Sequence, residues 1–245
     1  TLELADDLDG IFITAAFYNN VDVDELGTAK VTGFTISGAV GQPLEVAFQL
    51  MAYDRTSGSV INTTVTMPLA TIRDTANRVL YNQGAVLMND ASGGALSNPT
   101  DIIYPSSFTL TFQREMRGVY GLGGSFNNID EPSNDGKPSV TLSMEFPRYT
   151  SSEHFDNLDA NTPQKIQMLF TGSAIGGGND RTFMIELPNC KYASANLPIV
   201  EGIMPHPIEF NCLSANSAPT GMTVVKPFEI VIVNNYGGDP LEPGN

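Results

Sequence analysis

Five glutamates each stand between two apolar residues in a segment with the composition of a β-strand. Successive strand residues point to opposite faces, so each carboxylate should point away from the core that its neighbours enter. Carboxyl groups can act as general acids and bases, or they can give a surface a negative charge. Their repetition on separate strands predicts one sheet with an anionic surface, although like charges facing each other across strands are unfavourable. The five are Glu45, Glu145, Glu186, Glu209 and Glu229.

No combination of residues in the sequence indicates an enzyme. His154 and His206 are the only histidines, and neither has a Cys, His or acid nearby at the spacing of zinc ligands. We interpret both as surface or turn histidines. A Gly-x-Ser-x-Gly nucleophile motif is absent, and the glycines at 176–178 are followed by a strand pattern instead of the helix of a phosphate-binding loop. We predict a protein that is not an enzyme and that uses no metal and no cofactor.

The charge of the chain restricts its partners. It has 27 acidic and 12 basic residues, a net charge of −15, and a pI of about 4.3. Such a surface repels a nucleic-acid backbone, so tight binding of nucleic acid is not expected. The chain has no Trp, which argues against a carbohydrate-binding module. No apolar stretch approaches the roughly 20 residues that span a membrane, so no membrane partner is predicted.

Two pairs of arginines are of interest, Arg73 with Arg78 and Arg114 with Arg117. Four arginines in two places are too few for a nucleic-acid footprint. One hypothesis is that they pair with acids on a neighbouring copy of the chain. The alternative is that they are solvated surface residues.

Cys190 and Cys212 are the only cysteines. Two isolated cysteines fit neither a disulfide-dense scaffold nor a zinc site. Cys212 has a core position beside Phe210, which favours a small buried thiol. A single bridge between the two cysteines remains an open alternative.

Alternation of apolar and polar residues predicts about ten strands, and one short helix is predicted from Ser151 or Ser152 through Leu158. Strands are expected at 181–187, 190–195, 206–213 and 223–233, among others, with long loops at 89–105 and 118–137. We predict that these strands form a mainly β sandwich or barrel with one flanking helix. We divide the chain into an acidic N-terminal arm (1–26), a β domain (27–235) and a C-terminal tail (236–245).

A faint internal echo relates residues 42–46 (QPLEV) to residues 206–210 (HPIEF). Each segment follows a turn that contains glycine and leads into a strand. The echo reflects either an ancient duplication of a β unit or two strands of one sheet that happen to follow similar turns.

Three stretches combine such alternation with turns in a characteristic order: VTGFTISGAVGQPLEVAFQL (31–50), YPSSFTLTFQREMRGVYGLGG (104–124) and TFMIELPNCKYASANLPIVEGIMPHPIEFNCLSA (182–215). The phrase LPNCKY, a proline-glycine loop and then PIEFNCLSA is the most specific part. Over roughly residues 28–233 the chain resembles the major tail tube proteins of long-tailed bacteriophages.

The resemblance implies a β-sandwich subunit whose copies form stacked rings around a lumen. DNA would pass through transiently, and a tape-measure protein would occupy the lumen beforehand. Tail terminator and tail-tip proteins would be further partners, and the tube would be assembled in the host cytoplasm as part of the virion tail. The five glutamates are then candidates for the lumen wall, with Glu45 and Glu209 first because both strands follow a proline.

Several alternatives stay open at this point. The glutamates could instead face the solvent outside, or pair with arginines between rings. The chain could be a secreted binding module or adhesin subunit, or the tube subunit of a tailocin or a type VI-like secretion system. Rings of six copies, or of three if the echo marks two fused units, both fit, and the sequence does not decide whether a contractile sheath surrounds the tube.

Overall fold

The computed structural model of the chain describes residues 2–3, 12–18, 21–58, 79–118, 132–197 and 202–234. These residues form a mainly β structure with one short helix, which confirms the predicted fold class. The helix α1 is Glu153–Asp159, and the strands are β1 (Leu2–Glu3), β2 (Ile13–Tyr18), β3 (Val23–Ala39), β4 (Glu45–Ser57), β5 (Gly84–Asp90), β6 (Ile102–Ile103), β7 (Ser107–Gln113), β8 (Met116–Arg117), β9 (Ser133–Asn134), β10 (Ser139–Phe146), β11 (Gln164–Gly176), β12 (Asn179–Ala195), β13 (His206–Cys212) and β14 (Glu229–Val233).

Twelve of the described strands join in one sheet, and all of their pairings are antiparallel. Its main path is β2-β3-β7-β10-β13-β12-β11-β5-β6. Three strands branch from this path, with β4 on β3, β14 on β12, and β1 on β14. The short strands β8 and β9 pair with each other apart from the large sheet.

Two strands of 17 residues, β3 and β12, allow the sheet to fold over on itself. One edge of β3 pairs with β4, and the other edge pairs first with β2 and then with β7. In the same way β12 pairs with β11 along one edge, and with β14 and then β13 along the other. The first layer consists of β4, β3, β7, β10, β13 and the end of β12, and the second layer consists of β14, the start of β12, β11 and β5.

The core lies between these two layers. Phe34 of β3 and Phe228, just before β14, have ring centroids 5.5 Å apart, and Phe108 and Phe170 approach to 5.9 Å across the same interior. Most of the alternating apolar residues that the sequence marks as core are fully buried, and each contributes on the order of 2 kcal/mol of hydrophobic free energy. They include Leu110, Leu142, Ile166, Met168, Phe170, Ile185, Leu187 and Phe210. The prediction is wrong for Val46 and Phe48 of the edge strand β4, which are 47% and 63% exposed.

Two prolines explain where the strands differ from the prediction. The strands predicted at 181–187 and 190–195 are one strand, β12, which continues through Pro188. Pro188 has no N–H to donate to a neighbouring strand. It lies at a register shift in the pairing of β12 with β11, and at the point where the strand on the other edge of β12 changes from β14 to β13. The strand predicted at 223–233 begins only at Glu229, two residues after Pro227.

The helix α1 lies where it was predicted and packs near the end of β12. Of the two serines that precede the helix, Ser151 Oγ accepts a long hydrogen bond from Glu153 N (3.4 Å). Ser152 makes no side-chain cap, and its Oγ donates to Asp156 Oδ2 (3.0 Å). The sequence at 69–78 fits either a short helix or an irregular connection, and this segment lies outside the described residues. Within the described part of the chain, no helix is both long enough and apolar enough to span a membrane.

Candidate functional site

The outer face of the first layer carries two rows of side chains that each run across six strands. Strand register aligns the first row as Glu45, Ser37, Thr109, Ser143, Glu209 and Ser194, and the second as Ala47, Thr35, Thr111, Thr141, Asn211 and Lys191. We call these twelve residues the hydroxyl face, because seven of them are Ser or Thr.

The hydroxyl face follows directly from the alternation along each strand. In β7, the apolar side chains of Phe108, Leu110 and Phe112 are buried, while Thr109 and Thr111 between them are half-exposed. Threonine is branched at Cβ and suits a pleated strand, and its hydroxyl can bond water. The same pattern in β3 and β10 therefore gives a continuous, largely neutral polar wall. A shallow hollow of about 250 Å³ lies in it, lined in part by Thr109, Thr141 and Glu209.

Three of the predicted glutamates lie on this side of the sheet. Glu45 and Glu209 are exposed members of the first row, and Ser194 Oγ lies 3.4 Å from Glu209 Oε2. Glu145 is exposed in the adjacent row, between Ser107 and Pro207.

The other two glutamates belong to the second layer. Glu186 of β12 and Glu229 of β14 are direct cross-strand partners. Glu186 is only 6% exposed, and its Oε1 accepts a hydrogen bond of 2.7 Å from Gln167 Nε2. Four of the five carboxylates stand between residues of the core, but Glu45 does not, because its neighbour Val46 is 47% exposed. The five also divide between two layers. Their assignment to a lumen stays a prediction.

Among the described residues, nothing covers either face of the edge strand β4 over its first half. Glu45, Ala47 and Gln49 are exposed on the side of the hydroxyl face. On the core side, Val46 is 47% and Phe48 63% exposed, although the Phe48 ring touches Phe34 at a centroid distance of 6.4 Å. Among the described residues, β3 is the one strand that pairs with β4. Exposed apolar side chains on a strand edge are typical of a surface that meets another chain.

Turns at one end of the first layer expose a second apolar surface. Backbone hydrogen bonds join these turns: Val40 N donates to Ser106 O (3.0 Å), Ser106 N to Glu145 O (2.7 Å), and Tyr149 N to Met204 O (3.0 Å). We call this surface the apolar end. Its large exposed side chains, with exposures from 41% to 72%, are Val40, Tyr104, Ile203 and Met204.

The arginines predicted to contact other copies fall into two groups. Arg114 and Arg117 follow β7 at the end of the layer opposite the apolar end. Arg114 is half-buried, and its Nη2 lies 3.3 Å from Met116 Sδ, whereas Arg117 is exposed. Arg73 and Arg78 lie outside the described residues. A contact role for all four stays a prediction.

Both histidines lie deeper than the predicted surface or turn positions. His206 is 2% exposed and belongs to β13; its ring stacks on Phe155 at 5.4 Å and meets the His154 ring edge-on at 5.4 Å. His154 Nδ1 lies 3.1 Å from the Tyr192 hydroxyl. Burial lowers the pKa of His206, and burial with the nearby His206 lowers the pKa of His154 to about 4. The sequence offered no sign of this pair, because the two residues are far apart in the chain.

A cleft of about 600 Å³ lies beside α1 and contains several acids. Two of its carboxylates are engaged in structural hydrogen bonds: Asp90 Oδ1 accepts from Gln164 Nε2 (2.8 Å), and Asp101 Oδ1 accepts from Asn89 Nδ2 (2.9 Å). The described residues contain no group of three or more His, Cys, Asp or Glu side chains that could hold a metal ion.

A family model described as "Phage tail tube protein" matches residues 4–212 of the chain. None of the curated proteins matches it.

Proposed function

The chain belongs to the phage tail tube protein family, and we propose that its copies assemble into stacked rings that form the hollow tail tube, a conduit for DNA during ejection. Membership of this family gives the chain a structural role in the virion tail. The observation that carries the finer proposal is the hydroxyl face, which extends across six strands and is almost free of cations.

The hydroxyl face suits the wall of a DNA channel. Protein affinity for DNA comes mainly from Lys and Arg contacts to phosphates, and Lys191 is the one cation in the two rows. Neutral hydroxyls can exchange hydrogen bonds with water as a polymer slides past. Glu45, Glu209 and the neighbouring Glu145 add a sparse negative charge that keeps phosphates away from the wall. These three are the glutamates that we retain as lumen candidates.

Ring closure is assigned to the exposed edge of β4. A strand edge offers unpaired N–H and C=O groups to another chain, and Val46 and Phe48 add apolar area beside them. Contact between this edge and a different surface of the next copy is heterologous, so it generates a ring when the rotation closes. Strands that continue from copy to copy would make an inner barrel with few free edges.

Stacking of rings is assigned to the two ends of the first layer. The apolar end of one ring would face the end of the next ring that carries Arg114 and Arg117. Acids on that neighbouring ring are the expected partners of the arginines. The proposed partners in the virion are other copies of the chain, a tape-measure protein in the lumen, and terminator and tip proteins at the two ends of the tube, with assembly in the host cytoplasm.

Access to single introduced cysteines tests the wall assignment. Thr141→Cys puts a thiol on the hydroxyl face, and Asp159→Cys puts one on α1, which packs on the opposite side of β12. In assembled tubes we expect a small maleimide to label both variants, and a dextran-coupled maleimide to label only Asp159→Cys. In dissociated subunits both reagents should label both variants. Equal dextran labelling of the two variants in tubes would refute the wall assignment, and failure to form tubes at any concentration or salt would refute the tube.

A further inference from the structure

Cys190 of β12 and Cys212 of β13 lie directly opposite each other in the first layer. They are register partners, both are free thiols, and their Sγ atoms are 3.5 Å apart. Cys190 is 0% and Cys212 3% exposed, so the pair lies inside the core. The sequence left a bridge between them open, and the structure brings them within thiol hydrogen-bond distance.

The hydrogen-bond pattern around the pair identifies the kind of site that it occupies. Leu213 N donates to Asn189 O at 2.8 Å, so the ladder bonds flank the cysteines and do not join them. In an antiparallel ladder such non-hydrogen-bonded partners have Cα atoms about 4.5 Å apart, with their side chains close together. This separation falls at the short end of the range that disulfides span, about 4.4–6.8 Å. Closing the bridge therefore requires a rotation of the side chains and little movement of the backbone.

We infer that Cys190 and Cys212 are a latent disulfide that a small peroxide closes across β12 and β13. One thiol attacks hydrogen peroxide to give a sulfenic acid and water. The other thiol then displaces a second water to form the S–S bond, so two thiols and one peroxide give one disulfide and two waters. The peroxide is the two-electron oxidant, and no other reductant or oxidant is needed.

The surroundings of the pair decide which oxidants can close it. Burial raises the pKa of the Cys190 thiol, so little thiolate is present near neutral pH and the reaction is slow. Because both thiols are buried, we expect an oxidant as small as hydrogen peroxide to reach them in the folded protein, and glutathione and larger reagents to be excluded. The thiols would thus remain reduced in a reducing cytoplasm and would close only after longer exposure to an oxidising medium.

The bridge would stabilise part of the hydroxyl face. Residues next to the pair on these strands, Lys191 and Asn211, belong to the second row of the face. A bond between the strands closes the connection of residues 191–211 and removes conformations of the unfolded chain. A role of the disulfide in a released virion rests on the proposed tube function, whereas formation of the disulfide does not.

The test is a mass measurement on the purified full chain. The folded protein is treated with hydrogen peroxide, quenched, denatured and alkylated with iodoacetamide. We expect the wild type to lose the mass of two hydrogens, to resist alkylation, and to melt about 5 °C or more higher than the reduced protein. Two alkylated thiols after oxidation, or conversion to sulfinic acids, would overturn the inference.

Single variants and a larger oxidant complete the test. Cys190→Ala and Cys212→Ala each retain one cysteine, which cannot form the bridge within the chain. After peroxide treatment this sulfur should be alkylated, directly or after reduction, and the melting temperature should not rise. Oxidised glutathione should leave the folded wild type unchanged, and rapid closure by it would contradict the buried site. If tubes form, the same mass measurement on tubes and on subunits separates the two proposals, because the bridge can close in a protein that never polymerises.

Discussion

Glu45 and Glu209 stand in one row of the hydroxyl face, with Ser37, Thr109 and Ser143 between them. Four strand spacings separate the two carboxylates by about 19 Å. This distance is about twice the Debye length at physiological ionic strength, so their mutual repulsion is weak. The row can therefore carry negative charge at these two positions without destabilising the sheet that holds it.

Lys165 should be the most sensitive lysine of the described chain. It is fully buried, and its Nζ donates to Gly93 O (2.9 Å), Gly94 O (2.6 Å) and Thr220 O (3.1 Å). Lys165→Met leaves three carbonyls without this donor, so we expect a loss of about 3 kcal/mol of unfolding free energy in urea titrations. Lys137→Met, at an exposed position, is the control and should change stability by less than about 0.5 kcal/mol. An equal effect of the two variants would show that the three hydrogen bonds contribute nothing.

Two glycines of β3 should respond differently to the same change. A Cβ on Gly38 would approach side-chain atoms of Leu44, Tyr81 and Phe108 to 2.7–2.9 Å, whereas a Cβ on Gly27 would meet nothing within 4 Å. We expect Gly38→Ala to cost about 2 kcal/mol through overpacking, and Gly27→Ala to be neutral or slightly stabilising. Thermal unfolding of the two variants beside the wild type measures the difference. Similar melting temperatures would mean that the core around Gly38 yields to a methyl group.

Acid should weaken the contact between α1 and β13. The pKa of His154 is lowered from 6.5 to about 4, and the pKa of His206 is lowered as well. Between pH 6.5 and about 4 the folded state binds fewer protons than the unfolded state. The free energy of unfolding that the histidines contribute is therefore complete above about pH 6.5 and is lost as the pH falls toward 4. Urea midpoints at pH 7.5, 5.5 and 4.5 measure the loss. Carboxylates also titrate there, so His154→Phe, which keeps a ring, is the control and should lose less stability than the wild type.

Two apolar-to-acid variants should stop assembly at different stages. Phe48→Asp removes apolar area from the β4 edge and should weaken association within a ring by roughly 30-fold or more, leaving monomers. Ile203→Asp changes the apolar end and should leave rings that do not stack. Sedimentation velocity and negative-stain microscopy distinguish the two outcomes, and each variant is the control for the other. Normal tubes from Phe48→Asp would remove β4 from the ring contact.

The local alternation in the sequence was enough to predict the fold class, the core residues of β7 and β10, and the position of α1. Two other features depend on contacts between distant residues. The sequence predicts that a strand ends before Pro188, yet Pro188 lies inside β12 where the pairing changes along both of its edges, and no local pattern reveals that coincidence. The sequence also gives no basis for distinguishing the five glutamates. Alternation indicates the face of the strand to which a side chain points, but it does not indicate the layer to which the strand belongs.

The register likewise explains why the hydroxyls were overlooked. Thr and Ser are common in any strand, and only the alignment of β3, β7 and β10 turns Ser37, Thr109 and Ser143 into one row. The buried histidine pair was hidden for the same reason, since His154 and His206 meet only when α1 packs beside β13.

Because β12 belongs to both layers, the layers cannot slide apart without breaking the ladder that runs through it. In a tube made from such subunits, each subunit would move as a rigid body, and bending would occur at the interfaces between copies. The compliance of those interfaces would then set the curvature that a tail can reach.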